Sequence, residues 1–280
     1  MAKLDVFATG EILSTAKSGR DRAQTETLTP VYRLAVAAQD RKDEVKLTSA
    51  IAKLTEEDPS LAFEQNPETH DLILAGQGEV HLKVAVEKLR ERYGLQLATR
   101  PPQVPYHETI RKGASVRGRH KRQTGGHGQF GDVVIEIKPL PRGSGFQFTD
   151  TITGGVVPKT YIQSVETGVR DYLKSGPLGF PVVDVAVNLS DGSYHAVDSS
   201  DMAFQMAARL AMKEGMAACS PVLLEPVMKV EIVTPSDATS KIIALIPQRR
   251  GQILGYDARP DWPGWDVVEA TMPQAEIGDL

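Results

Sequence analysis

The chain has 280 residues, 41% of them hydrophobic and 24% charged, and a formal net charge of −4. This length suits two or three domains of soluble globular protein, and no apolar run approaches the ~20 residues that a membrane span needs. A net negative chain does not coat nucleic acid over its whole surface, so any such contact is confined to a patch.

In chain order, Leu4–Ala8 reads as a short strand, Thr9-Gly10 as a turn and Ser14–Glu26 as a polar linker. Val31–Ala37 alternates like a strand. Asp43–Thr55 has helical periodicity through Val45, Leu47, Ala50, Ile51 and Leu54. Leu61–Glu64 and Leu72–Leu74 flank the turn Asn66-Pro67-Glu68-Thr69 as a hairpin. A second helix over Glu79–Tyr93 turns Leu82, Val86 and Leu89 inward, and Leu95–Thr99 closes the unit as a strand. The order β-α-β-β-α-β predicts a ferredoxin-like split βαβ sandwich.

Beyond Pro101-Pro102, Val104–Ile110 reads as a strand, followed by a basic, glycine-rich loop. Strands at Asp132–Pro139 and Phe146–Thr149 are joined by the turn Pro141–Gly145. A helix from Lys159 to Ser175 stops at Gly176-Pro177. The Val-rich run Pro181–Leu189 reads as a strand buried on both faces or central in its sheet. A second loop, Asp191–Ser200, leads into a long Ala- and Met-rich helix over Met202–Ala218, with Asp198 or Ser199 as its N-cap and Asp198, Ser199 and Ser200 together read as capping residues. A third unit has a strand at Val227–Val233, a helix at Ala238–Leu245, and strands near Gln252–Tyr256 and Val267–Thr271. That β-α-β-β order lacks a second helix, so the chain reads as truncated at both ends.

The chemistry concentrates in Arg119-His120-Lys121-Arg122-Gln123-Thr124-Gly125-Gly126-His127-Gly128-Gln129-Phe130-Gly131. Glycines let a backbone approach a bulky ligand. Arg111, Lys112, Arg117, Arg119, Lys121 and Arg122 have no acidic residue among them. The stretch reads as a nucleic-acid contact, against the plainer alternative of a solvated basic loop. In the second loop, Ser193, Tyr194 and His195 sit where the chain turns back, with His195 pointing outward. An acid–base set of His120, His127, His195 and Asp198 for phosphodiester cleavage is the enzymatic alternative. Arg249-Arg250 reads equally as an RNA contact or as cations at a helix C-terminus. The histidines have no zinc spacing, the single Cys219 gives no disulfide framework, and Met1–Asp5 lacks a secretion signal, so a reducing cytoplasm is expected. No phosphate-binding G-x-x-x-x-G-K-[ST] motif occurs.

The chain resembles the C-terminal part of elongation factor G, the translational GTPase of bacterial translocation. The resemblance runs through Leu54–Ser60, Ala75–Leu82, Pro102–Ile110, His120–Gly131, Gly154–Pro158, Gly179–Asp184, Gly192–Ser200, Leu223–Met228 and Arg249–Gly251. It implies an α+β, multi-domain fold in which ferredoxin-like split βαβ domains flank an elongated ribosomal-protein-S5-like domain. Residues 1–26 would end a β-barrel second domain, 27–108 form the third, 109–225 the fourth and 226–280 a truncated fifth. The implied partner is the ribosome (16S and 23S rRNA, tRNA–mRNA), met by a cytoplasmic monomer with no membrane. The fragment itself would be no enzyme and hold no cofactor or metal, GTP and Mg belonging to an absent N-terminal GTPase domain. A tip would comprise Arg119, His120, Lys121, Arg122, Gln123, Gly125, Gly126, His127, Gln129, Ser193, Tyr194 and His195. Of these, Gly125, Gly126, Gln129 and His195 would face the codon–anticodon helix. Arg249 and Arg250 would face large-subunit RNA and the GTPase domain. His127 stands where the family is expected to carry arginine, and Trp-Pro-Gly-Trp and Pro247 are further departures. They point to a divergent paralogue and leave translocation and ribosome recycling or rescue both open.

Overall fold

The computed structural model describes Thr9, residues 28–123 and residues 128–278. The expected strand Leu4–Ala8 and the linker Ser14–Glu26 lie outside the described residues, as do Thr124, Gly125, Gly126 and His127. The chain divides into two compact units, with the break between Pro105 and Tyr106. No described helix is long and apolar enough to cross a membrane.

The first unit contains β1 (Tyr32–Ala38), α1 (Glu44–Glu57), β2 (Ala62–Gln65), β3 (Leu72–Gly76), α2 (Glu79–Tyr93) and β4 (Leu97–Arg100). Its antiparallel sheet has the order β2-β3-β1-β4, so β3 lies between β1 and β2, the split βαβ arrangement read from the sequence. Leu47, Ala50, Ile51 and Leu54 of α1 and Leu82, Ala85 and Leu89 of α2 form one core with Val36 and Leu74. Val45 does not join this core and is 84% exposed. It stands two residues before Leu47, nearly opposite on a helix of 3.6 residues per turn. Val86 is only half-buried, and Ala85 takes the inward place expected for it. Gly94, at φ 66°, ends α2 in the left-handed conformation that glycine adopts at little cost. Leu95, expected in the last strand, is instead buried ahead of it.

The second unit holds three sheets. Strands β5 (His107–Ile110) and β10 (Pro221–Leu224) pair antiparallel. The main sheet has the order β6-β7-β9-β8, from β6 (Ala114–Arg122), β7 (Gln129–Pro139), β8 (Phe146–Asp150) and β9 (Val185–Ser193). Helices α3 (Lys159–Leu173) and α4 (Asp201–Ala218) share its core, which includes Val133, Ile135, Ile137, Val165, Val169, Val187, Leu189, Phe204 and Met212. The remaining sheet, β11-β13-β12, is formed by β11 (Val227–Pro235), β12 (Gln252–Ala258) and β13 (Trp265–Pro273) and packs on α5 (Thr239–Gln248) through Ile246, Val268, Ala270 and Met272.

Three expectations change here. The basic segment is a strand for most of its length, since β6 runs nine residues to Arg122. Strands β7 and β8 are not neighbours, because the α3 crossover returns β9 between them, antiparallel to β7 and parallel to β8. Strand β9 starts at Val185, after Asp184 at φ 58°, and extends through Asp191 and Gly192 to Ser193, into what read as loop. It is central, but its burial alternates, with Val185, Val187 and Leu189 inward.

Glycine sets the distance between helix and sheet. A Cβ on Gly118 of β6 would sit 2.3 Å from the Ala207 carbonyl of α4, and one on Gly131 of β7 would sit 2.5 Å from the Ala203 carbonyl. The helix meets these positions with Ala203, Ala207 and Ala211, so backbone packs on backbone. Gly131, read as part of the loop, is therefore a packing residue of the strand.

Candidate nucleic-acid interface

The start of β7 and the segment from β9 to α4 meet at one end of the main sheet. The register pairs Arg122 with Gln129 and Asp132 with Ser193. The Phe130 N–H donates to the Asp198 carbonyl at 2.8 Å, and the Ser199 hydroxyl donates to the Phe130 carbonyl at 2.9 Å. The Gly128 N–H donates to the Asp198 carboxylate at 3.0 Å, where any Cβ on residue 128 would collide. The rings of Phe130 and His195 lie 6.4 Å apart. Gln129, Ser193, Tyr194 and His195 are thus brought to the end of the sheet that also carries His120, Lys121, Arg122 and Gln123. Gly125, Gly126 and His127 lie outside the described residues.

The N-cap of α4 is Ser200, whose hydroxyl accepts from the Ala203 N–H, and not Asp198 or Ser199. Those two side chains instead join the start of β7 to the β9–α4 segment. Ser199 Oγ also accepts from the His195 N–H at 2.9 Å. His195 Nδ1 accepts from the N–H groups of Val197 and Asp198, at 3.4 and 3.2 Å. Such acceptance leaves Nε2 to carry the ring proton, a donor on a side chain that is 56% exposed. His120 Nε2 contacts Gln129 Oε1 at 2.9 Å.

The charge of this end differs from the sequence reading. No acidic residue interrupts 111–122, but the ladder sets Asp132 opposite Arg119. Arg117 Nε donates to Asp132 at 2.8 Å, Arg119 Nη2 at 3.0 Å and Ser193 Oγ at 2.7 Å. Burial pushes the Asp132 carboxyl up, but the hydrogen bonds from Arg117, Ser193 and Arg119 outweigh it and hold the group well below the usual carboxylate range. The same pairing raises the Arg117 guanidinium. Two of the expected cations are therefore partly neutralised within the fold. Lys121 and Arg122 are exposed, with no ion-pair partner among the described residues.

Arg250, at φ 56°, donates through Nη1 and Nη2 to both carboxylate oxygens of Glu225, at 2.6 and 3.1 Å, and through Nε to Glu276 at 2.9 Å. Arg249 Nη1 donates to the Glu276 carbonyl at 3.1 Å. These cations join the β10–β11 connection and the segment after β13 to the end of α5. Of the acid–base alternative, Asp198 spends one carboxylate oxygen on Gly128 and has the other 3.4 Å from His195 Nδ1. Among the described residues, no group of three or more His, Cys, Asp or Glu side chains is placed to hold a metal ion. Sequence reasoning missed Asp132, Ser199 and Asp198 as the residues that join the site. The available signal was a carboxylate at the head of the apolar run Val133–Ile135.

Comparison with known families places this geometry. The models for elongation factor G domain III, domain IV and C-terminus match residues 28–101, 102–220 and 222–280 in that order. The chain belongs to the elongation factor G family. It is 60% identical over 277 residues to an elongation factor G-like protein of Synechocystis, covering 99% of this chain and 41% of the relative. It is 44% identical to elongation factor G of Aquifex pyrophilus, over 96% of this chain and 38% of the relative. A crystal structure from Thermus thermophilus is similar at a TM-score of 0.75 and 42% identity, over 91% of this chain and 38% of that one. The chain spans about two fifths of the length of the curated relatives it matches. Within the elongation factor G family, both parts of the candidate interface fall inside the domain IV match.

Proposed function

We propose that this chain is the ribosome-engaging part of an elongation factor G-like translation factor that promotes tRNA–mRNA movement in the cytoplasm. The observation that carries the reading is the joining of the start of β7 to the β9–α4 connection through Phe130, Asp198 and Ser199 at a basic strand end. A sheet end with Lys121, Arg122 and His195 exposed on a backbone-stiffened base suits contact with folded RNA. Phosphate contacts position a protein without reading sequence, and the shape of RNA supplies the rest. The support is the domain IV family match over residues 102–220.

In this reading residues 27–108, 109–225 and 226–280 are three domains, and the partners are ribosomal RNA and the tRNA–mRNA pair, met by a monomer. Gly125, Gly126, Gln129 and His195 face the codon–anticodon helix, flanked by Arg119, His120, Lys121, Arg122, Gln123, His127, Ser193 and Tyr194. Arg249 and Arg250 line the side nearer the large subunit, with Arg250 acting through its pairs with Glu225 and Glu276. GTP and magnesium belong to a GTP-binding domain of the complete protein, and this segment contributes position and force, not bond chemistry.

The test is co-sedimentation with ribosomes over a salt series. Wild type is expected to bind weakly and to release steeply with salt, and the double substitution Lys121→Glu/Arg122→Glu to weaken binding at least tenfold and flatten the salt dependence. Unchanged affinity in that variant overturns the reading. With the complete protein, a pre-steady-state movement assay separates translocation from recycling.

A further inference from the structure

Asp132 is a carboxylate set into the basic face of the described β6–β7 ladder and is 0% exposed, while the exposed Asp191 of β9, opposite Val134, acts on Arg117 only through its charge. Asp132 lies in a cross-strand row, opposite Arg119 on β6 and Ser193 on β9. Arg117 engages both of its oxygens through Nε and Nη2, while Arg119 and Ser193 donate to Oδ2. Oδ2 thus accepts three hydrogen bonds and Oδ1 one. Arg117 and Arg119, two residues apart, lie on the same side of the strand as Lys121. Their side chains remain 52% and 53% exposed. Arg117 Nη1 and Arg119 Nε and Nη1 make no hydrogen bond within the described residues, so each guanidinium is held on one edge and open on another. A guanidinium fixed in this way offers phosphate a preset fork, with its side-chain entropy already spent.

We propose that Asp132 is a positioning residue that presets Arg117 and Arg119, beside Lys121, as an RNA-phosphate contact on this face of the sheet. The inference rests on the ribosome reading above. Asp132 does two things at once. It fixes the two arginines relative to Ser193 and the β9–α4 connection, and it removes one net positive charge from the face. Binding thereby depends on RNA of the right shape more than on charge alone.

The experiment measures binding of the full chain to poly(U) and to ribosomes over a salt series. Asp132→Asn adds one net positive charge. The slope of log affinity against log salt on poly(U) is expected to steepen by about 0.7, the value for one further phosphate on a single strand. Preference for ribosomes over poly(U) is expected to fall several-fold. Adding Arg117→Gln to Asp132→Asn restores the charge, and with it the wild-type slope. Should Asp132→Asn fail to fold, Asp132→Glu keeps the charge but displaces the carboxylate, and is expected to leave the slope at its wild-type value while the preference for ribosomes falls several-fold. A merely structural role would alter stability and leave the preference for ribosomes over poly(U) at its wild-type value, and a folded Asp132→Asn with that preference unchanged overturns the proposal. A wild type that shows no preference for ribosomes overturns the ribosome reading and the proposal that rests on it. Binding to neither RNA overturns both.

Discussion

Ser199 and Phe130, 69 residues apart in sequence, are tied by a hydrogen bond from the serine hydroxyl to the phenylalanine carbonyl at 2.9 Å. Ser199 Oγ also accepts the His195 N–H, and the Phe130 N–H donates to the neighbouring Asp198 carbonyl. One side chain and one backbone bond thus hold the start of β7 against the β9–α4 connection that carries candidate RNA contacts.

Ser199→Ala removes both hydrogen bonds of that hydroxyl at a half-buried position. A loss of about 1–2 kcal/mol in urea denaturation is expected. The amides of His195 and Phe130 should exchange faster with solvent than those of the β7 core. Wild-type stability together with unchanged exchange would show that the backbone bond alone holds the two segments.

Gly118→Ala places a methyl group 2.3 Å from one backbone atom of α4 and 2.6 Å from another, the Ala207 carbonyl oxygen and the Ala211 nitrogen. Backbone cannot rotate away as a side chain can, so the helix must lift from the sheet. The expected cost is about 1–3 kcal/mol or more. Gly255→Ala is the control. No atom lies within 4 Å of its Cβ position and its φ is not left-handed, so a change within about 0.5 kcal/mol is expected. Thermal unfolding of the two variants compares them directly, and equal stability would mean that the close approach is not rigid.

The first unit was legible because Leu47, Ile51, Leu82 and Leu89 recur at helical spacing, and local periodicity suffices to order β-α-β-β-α-β. The main sheet was not, because its order depends on pairing across the α3 crossover. Nothing local to Phe146–Asp150 says that it pairs with Val185–Leu189 and not with the nearer β7. The basic cluster was legible as composition, but its charge was not. Asp132 partly neutralises Arg117 and Arg119 through a cross-strand register that emerges only once β6 and β7 are aligned. Likewise, Asp198 and Ser199 have the residue types of an N-cap, and only the fold reveals that Ser200 caps the helix while they join the start of β7 to the β9–α4 connection.

Acid should reveal Asp132. Its folded carboxyl is held below the ordinary value of ~3.9 by Arg117, Ser193 and Arg119 against the opposing effect of burial. A depressed folded value contributes stability above the unfolded value, and that contribution fades as pH falls below ~4. Asp58, lowered chiefly by its hydrogen bond with the Ser60 hydroxyl, adds a loss of the same sign. The wild type is therefore expected to lose stability progressively below pH ~4. Asp132→Asn should be less stable near neutrality and show a shallower acid slope, the remainder belonging in part to Asp58. Urea midpoints across pH check this, and parallel curves for the two proteins would remove Asp132 from the acid response.

His195→Ala in the complete protein separates movement from nucleotide chemistry. The ring is fixed by two backbone N–H groups on Nδ1 and leaves Nε2 as a donor on a half-exposed side chain. Losing one such donor to an RNA oxygen costs about 1.5 kcal/mol, or roughly tenfold in the rate of a step that depends on it. Since this sequence holds no phosphate-binding loop, GTP hydrolysis should keep its wild-type rate while tRNA–mRNA movement slows about tenfold. Single-turnover measurements of both on the same ribosome preparation decide the matter. An equal fall in the two rates would place His195 in the coupling between domains and not at the RNA contact.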